Sequence, residues 1–231
     1  MTPREQRVSG FPHSAKLIER ETIICHGTVI GAERALKETK CAFNVAGGTH
    51  HAYRDRAEGF CLLNDIALAA HHLLELHDIQ RILVVDLDVH QGNGTALIFK
   101  DDPRVFTFSM HGDKNYPFRK ENSDLDVALP DGIGDKEYLS LLDKHLQSAM
   151  EHSEPEFIFF QSGVDILSSD KLGKLGVSLQ GCRSRDKMVF ELALRNELPI
   201  QVSMGGGYSP EISDIIEAHA NTYRLAMDFF T

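Results

Sequence analysis

A run of apolar residues, Ile82-Leu83-Val84-Val85, leads directly into Asp86-Leu87-Asp88-Val89-His90. The run is short, β-branched and bounded by polar residues, which predicts a strand buried on both faces in a parallel sheet. The polar residues then fall at the strand's carboxyl end, where open α/β sheets place their ligand sites. Period-two alternation puts Asp86, Asp88 and His90 on one face. Unsatisfied polar groups beside a sheet core are costly. A divalent metal satisfies them, and carboxylate oxygen with imidazole nitrogen suits zinc, with other first-row metals as alternatives.

The rest of the chain repeats this alternation. Apolar residues Leu17, Ile18, Ile23, Ile24, Val29 and Ile30 predict a helix over 14–37, with breaks at Gly27 or Gly31. Further strands are expected at 41–46, 81–87, 105–110, 156–161 and 199–204, and further helices at 65–77, 95–100, 135–152, 180–196 and 209–220. Asn64 or Asp65 is the expected cap of the helix at 65–77. Residues 111–124 and 162–178 read as loops, and Gln91-Gly92-Asn93-Gly94 and Pro130-Asp131-Gly132 as turns. Helices alternating with short buried strands predict an α/β fold with a mainly parallel sheet. No repeat, low-complexity tract or linker divides residues 1–231, which read as a single domain.

Composition narrows the function. A net charge of −10 argues against direct nucleic-acid binding, which relies on neutralising phosphates, and is compatible with cationic substrates such as acylated lysine peptides or polyamines. No stretch is long and apolar enough for a membrane span, and residues 1–10 lack the apolar core of a secretory signal. Cys25, Cys41, Cys61 and Cys182 form no C-x-x-C pair and are expected to be reduced thiols in a cytoplasmic protein, or a nuclear one in a eukaryote.

In a parallel sheet the carboxyl ends of the strands share one edge. That edge gathers Gly47-Gly48-Thr49-His50-His51, Asp86 to His90, Gln161-Ser162-Gly163-Val164-Asp165 and Gly205-Gly206-Gly207-Tyr208. A metal, a base and an electrophilic helper make a hydrolase constellation. Asp165 alone reads equally well as a helix cap. The tandem pair His71-His72 lies inside a helix, where adjacent side chains diverge, so it is expected to have no role. Asn93-Gly94 reads first as a plain turn, and the Gly205 run lacks the pattern of a phosphate loop.

Taken together, Gly47-Gly48-Thr49-His50-His51-Ala52, Gly59-Phe60-Cys61, Asp86 to Gly94, Ser162-Gly163-Val164-Asp165 and Gly205 to Tyr208 resemble the zinc-dependent histone deacetylase family, in family order and spacing. Gln91-Gly92-Asn93-Gly94 and Asp170-Lys171-Leu172-Gly173 are most similar to its class IV branch and bacterial relatives. The resemblance implies a three-layer α/β/α arginase/deacetylase fold. It implies that Asp88, His90 and Asp165 bind one Zn²⁺ and that His51 is general base and then acid. His50 would be an electrostatic partner held by Asp86, and Tyr208 the donor to the carbonyl oxygen. It further implies an acyl-lysine tunnel lined by Gly59, Phe60, Tyr116 and Gly206, with Leu172 at the rim and Cys61 near the foot. A structural monovalent cation, usually K⁺, would sit at Asp86 and Ser109 with backbone carbonyls of Asp88, His90 and Met110.

Two departures from the family pattern stand out. Asn93 replaces the aspartate that orients the second histidine in many members, which predicts a less readily protonated His51. The match also begins late in the family's pattern, near residue 10, so the first strands of the sheet and an aspartate that holds the substrate backbone are expected to be missing. The strand at 41–46 would then be an exposed edge and a route to low stability or oligomers. The resulting expectation is a zinc-dependent deacylase acting on lysine side chains. The alternatives are an acetylpolyamine or other small-molecule amidohydrolase, an arginase-like binuclear Mn²⁺ enzyme, disfavoured by Gln91 and Asn93, and a catalytically silent metal-binding module.

Overall fold

The computed structural model describes residues 1–230. Its strands are β1 (Cys41–Asn44), β2 (Ile82–Asp86), β3 (Val105–Gly112), β4 (Leu125–Leu129), β5 (Phe157–Gln161) and β6 (Ile200–Ser203). They form one sheet in the order β1-β6-β5-β2-β3-β4, and every pairing is parallel. The helices are α1 (Pro3–Ser9), α2 (Ala15–Arg34), α3 (Asp65–Leu76), α4 (Asn93–Phe99), α5 (Asp135–Ser153), α6 (Leu179–Arg195) and α7 (Ile212–Phe230). A π-helical segment, Ala35–Thr39, prolongs α2.

The layers follow from alternation along the two central strands. Leu83 and Val85 of β2, with Ile158 and Phe160 of β5, face Leu142, Val189, Phe190 and Leu225 on α5, α6 and α7. Ile82 and Val84, with Phe157 and Phe159, face Ala32, Ile66, Leu73 and Phe99 on α2, α3 and α4. Burying a Val, Leu, Ile or Phe side chain contributes about 1.5–3 kcal/mol, and β2 and β5 bury every residue they have. The result is the three-layer α/β/α architecture that the sequence motifs imply.

Register sets where the core stops. A row of paired residues crosses the whole sheet: Asn44, Ser203, Gln161, Asp86, Ser109 and Asp126. On one side of this row the central strands are apolar; beyond it the polar loops begin.

Several expectations change. The glycines at 27 and 31 do not break α2, which runs unbroken through both and sets Gly31 against Ala42 and Gln201 of the sheet. α7 continues well past residue 220, because Leu225, Ala226 and the Phe229 and Phe230 rings keep packing on the core. Strand β4 and the short α1 were not anticipated. β4 is an edge strand whose exposed positions hold Asp126 and Ala128, so it lacks the continuous β-branched run of the central strands. α1 is bounded by local chemistry: a Thr2–Glu5 capping box at its start and left-handed Gly10 at its end. The turn expected at 91–94 is half helix, since Asn93 and Gly94 open α4.

Arg185, on α6, is fully buried and ties this layer to the sheet. Its Nε donates to Asp186 Oδ1 at 2.7 Å, and its Nη1 donates to the carbonyls of Leu87 at 3.1 Å and Gly163 at 2.6 Å. Thr222 of α7 donates to the other Asp186 oxygen at 2.7 Å. Replacing Arg185 with Met leaves Asp186 buried and uncompensated. Chemical denaturation of Arg185→Met should show a loss of about 3–5 kcal/mol, and Asp186→Leu in the same chain should recover a large part of it; a change under about 1 kcal/mol, within the ordinary range for a surface site, would contradict this role.

Candidate metal centre and active site

β2 ends at Asp86, and the chain turns out of the sheet through its own side chains. The Asp88 amide donates to Asp86 Oδ1 at 3.2 Å and the His90 amide to Asp88 Oδ1 at 2.9 Å. Simple alternation therefore stops at Asp86, and the three polar residues separate into two sites. Asp88 and His90 meet Asp165, which arrives on the loop after β5. His90 Nδ1 lies 3.0 Å from Asp88 Oδ1 and 3.1 Å from Asp165 Oδ2. One ligand atom from each of the three residues lies within 4.8 Å of the others.

The electrostatics of this cluster call for a cation. Burial, together with the neighbouring Asp88 carboxylate, pushes Asp165 up to about 7. Burial also opposes ionisation of Asp88, but His50 and His90 outweigh it and hold the group well below the usual carboxylate range. His90 is pushed up to about 10, because Asp165 and Asp88 outweigh the burial that pulls it down. Positive charge at the Nδ1 position is what both carboxylates require, and a divalent ion supplies it with the imidazole neutral. The donor set of two carboxylates and one imidazole fits such an ion.

Backbone close to the centre leaves no room for side chains. The Gly206 amide donates to Asp88 Oδ2 at 3.0 Å, and a Cβ on Gly206 would collide with Asp165 Oδ2. Gly48 has φ +103° and sits against the Gln161 amide, which donates to the Gly48 carbonyl at 3.1 Å. Asp65, at the start of α3, pins this strap: it accepts from the Thr49 amide at 2.8 Å, the Thr49 hydroxyl at 2.7 Å and the Thr28 hydroxyl at 2.6 Å. Asn64 rather than Asp65 is the cap, accepting from the Ala67 amide at 3.0 Å.

The strap delivers His50 and His51, whose ring centroids are 4.1 Å apart. Their partners differ. His50 Nδ1 lies 2.6 Å from Asp86 Oδ2; burial pulls the ring down, but this carboxylate prevails and raises it to about 9. His51 Nδ1 lies 2.6 Å from Asn93 Oδ1. Burial and the charged His50 neighbour hold His51 well below the ordinary imidazole value. One ring of the pair is cationic at neutral pH and the other is neutral.

Asn93 is itself oriented. Its amide nitrogen donates to the Tyr53 hydroxyl at 2.8 Å and to Glu58 Oε1 at 3.1 Å. That leaves its oxygen for His51, so Nδ1 of His51 carries the proton and Nε2 has the lone pair. The Tyr116 hydroxyl also bonds to Glu58, and the Tyr116 ring stands edge-on to His51 at 5.0 Å.

A cleft of about 670 Å³ opens over these groups. His50, His51, Asp88, His90 and Asp165 line it, as do Gly59, Phe60, Cys61, Tyr116, Leu172, Gly206 and Tyr208. Tyr208 is half exposed, with its amide held by Asp170 Oδ2 at 2.6 Å. Asp86 and Asn93 stand behind the histidines rather than in the cleft. Ser109 and Met110 also lie outside it on β3: the Ser109 hydroxyl bonds to His111 Nδ1 at 2.9 Å, and Met110 is core. Among the described residues, no side-chain contact at Asp86 or Ser109 singles out potassium.

Sequence reasoning missed Glu58, Tyr53, Asp65 and Arg185 as supports of the site. It also missed that residues 7–11 reach the cleft. The Gly59 and Phe60 amides donate to the carbonyls of Val8 at 3.3 Å and Ser9 at 3.0 Å, and the Phe11 and Phe60 rings meet edge to face at 5.8 Å.

Comparison with known proteins agrees with the motifs. The model of the histone deacetylase domain family matches residues 4–223. An uncharacterized protein of Picosynechococcus is 44% identical over 230 residues, covering 100% of this chain and 76% of its own length. Histone deacetylase 2 of Arabidopsis thaliana is 36% identical over 193 residues (82% of this chain, 50% of that protein). Histone deacetylase RPD3 of Saccharomyces cerevisiae is 37% identical over 196 residues (79% and 44%). The chain thus spans about half the length of these two named deacetylases.

The arrangement explains why position 93 carries an amide. An aspartate there would set its second oxygen against Glu58. Asn93→Asp should lose about 1–3 kcal/mol of stability, the cost of a buried acceptor left without a donor, and adding Glu58→Gln should restore it. A carboxylate partner also raises the pKa of His51. If His51 must be neutral to act, the acid limb of the pH–rate profile moves to higher pH. An unmoved limb in the double variant would contradict the part assigned to Asn93.

Proposed function

The chain belongs to the histone deacetylase family, and we propose that it hydrolyses acyl-lysine amides, acetyl or longer, with one zinc ion held by Asp88, His90 and Asp165. The observation that carries this reading is the unequal histidine pair beside the three-ligand centre. Amide hydrolysis needs a base for water, a stabilised oxyanion and a proton for the leaving amine. Zinc, when bound, supplies Lewis acidity to the scissile carbonyl and lowers the pKa of water.

The chain's own groups do the rest. Nε2 of His51 takes a proton from water as it adds to the carbonyl carbon, while Asn93 holds the ring's tautomer. His50, charged and paired with Asp86, keeps positive potential beside the developing oxyanion. Tyr208 closes over the cleft and donates its hydroxyl to that oxygen. His51 then returns its proton to the lysine nitrogen as the C–N bond breaks, giving a carboxylate and a free amine. Asn93 in its Gln91-Gly92-Asn93-Gly94 setting, with Asp170-Lys171-Leu172-Gly173, supports a reading nearest the class IV branch.

Charge at the rim bears on the substrate. Although the protein carries a net −10, the charged side chains lining the cleft outside the ligand set are cationic: Arg7, Arg20, Lys114 and Lys174. Arg20 is paired with Glu21 and Lys114 with Asp131, so Arg7 and Lys174 carry the rim's excess positive charge, which disfavours a polyamine and favours an acyl-lysine flanked by acidic or neutral residues. This favours a peptide over an acylated polyamine.

Zinc-loaded protein should release amine from acyl-lysine peptides, faster per substrate concentration with Asp or Glu flanks than with Arg or Lys flanks, and slowly or not at all from acetylated polyamines. Tyr208→Phe should lower kcat by about 10²–10³, the usual cost of one oxyanion donor. No hydrolysis of any acyl-lysine peptide, across acyl lengths, would overturn the enzyme reading; a preference for basic flanks or polyamines would overturn the substrate reading alone.

A further inference from the structure

Away from the cleft, α2 and the end of α3 bring together a second group of metal-competent side chains. Glu33 lies in the last turn of α2, His72 on α3, and His77 at the carboxyl cap of α3. Glu33 Oε1 is 3.0 Å from His72 Nε2 and 3.0 Å from His77 Nε2, and the three ligand atoms lie within 4.8 Å of one another. The imidazole centroids are 5.6 Å apart. All three side chains are partly exposed, at 35%, 26% and 14%, so an ion can enter from solvent and keep water on its open side.

Adjacent helical side chains do diverge: His71 turns to Arg54 and the Phe99 ring. His72 instead finds a partner outside its own pair, because α3 ends at Leu76 and the extended backbone of His77 folds its ring back toward the same carboxylate.

We propose that Glu33, His72 and His77 form a second site for a zinc-class divalent ion, clamping α2 to α3. The two Nε2 atoms and one carboxylate oxygen are the protein donors, and water completes a tetrahedron. Tetrahedral zinc with bonds of about 2.0–2.1 Å sets neighbouring donors about 3.3 Å apart, so the 3.0 Å separations need only a slight spreading. Two borderline imidazole nitrogens outnumber the one hard carboxylate oxygen, which selects zinc or its first-row neighbours over magnesium or calcium.

Lys37 competes for this carboxylate, with Nζ 3.8 Å from Glu33 Oε1. It is over half exposed and one helical turn away, so it swings into solvent when an ion arrives. Removing it should therefore improve the site, which a merely structural carboxylate–histidine cluster has no reason to show.

The test is zinc stoichiometry and affinity by equilibrium dialysis with elemental analysis, on the full chain. His72→Ala and His77→Ala should each bind one equivalent fewer than the wild type, whatever the occupancy of the Asp88–His90–Asp165 centre. Lys37→Ala should keep the wild-type stoichiometry and bind the peripheral equivalent several-fold more tightly. Wild-type stoichiometry in both histidine variants overturns the proposal, as does unchanged or weaker peripheral binding in Lys37→Ala. Acyl-lysine hydrolysis plays no part in the readout, so the result stands apart from the function proposed for the cleft.

Discussion

Two carboxylates, Asp88 and Asp165, converge on one imidazole nitrogen at the buried carboxyl edge of a parallel sheet. Like charges this close and this far from water separate unless something holds their backbones and something positive sits between them. The first requirement is met by Arg185, whose guanidinium grips the carbonyls of Leu87 and Gly163, immediately before Asp88 and two residues before Asp165. It is met again by the Val89 amide on Asp165 at 2.9 Å and the Gly206 amide on Asp88 at 3.0 Å. The second requirement is the reason to place a metal there.

The histidine pair obeys the same logic at one remove. Two imidazoles in contact cannot both be cationic cheaply inside a protein, so their partners decide which one is. A carboxylate behind His50 and an amide behind His51 divide the roles without any difference in the rings themselves. Glu58 sits one bond further back, orienting the amide that orients the base. A negative charge is thus present near His51 but insulated from it by Asn93.

The central strands and the order of the α/β layers were legible because β2 and β5 are apolar at every position before their polar ends, and helices recur between such runs. β4 was not, because an edge strand with one wet face carries Asp126 and Ala128 where a buried strand would carry Val or Ile. The motif residues of the cleft were legible from local pattern and from the family they resemble. Their supports were not. Glu58, Asp65 and Arg185 act through partners 35, 16 and 98 residues away in the chain, and no local pattern encodes such a pairing. The polar row from Asn44 to Asp126 is similarly invisible until register is known. Asn93-Gly94 shows the opposite error: a strong turn signal concealed the first turn of α4, whose asparagine is spent on His51.

The central claim is that Asp88, His90 and Asp165 hold a metal ion that their burial demands. Zinc affinity of the His77→Ala chain, in which this is the remaining three-ligand group among the described residues, measured with and without Asp165→Asn, tests it most directly. The account predicts one equivalent in the first protein and a loss of more than about 100-fold in affinity in the second, beyond what an outer-shell partner contributes. Equal zinc binding by the two proteins would contradict it.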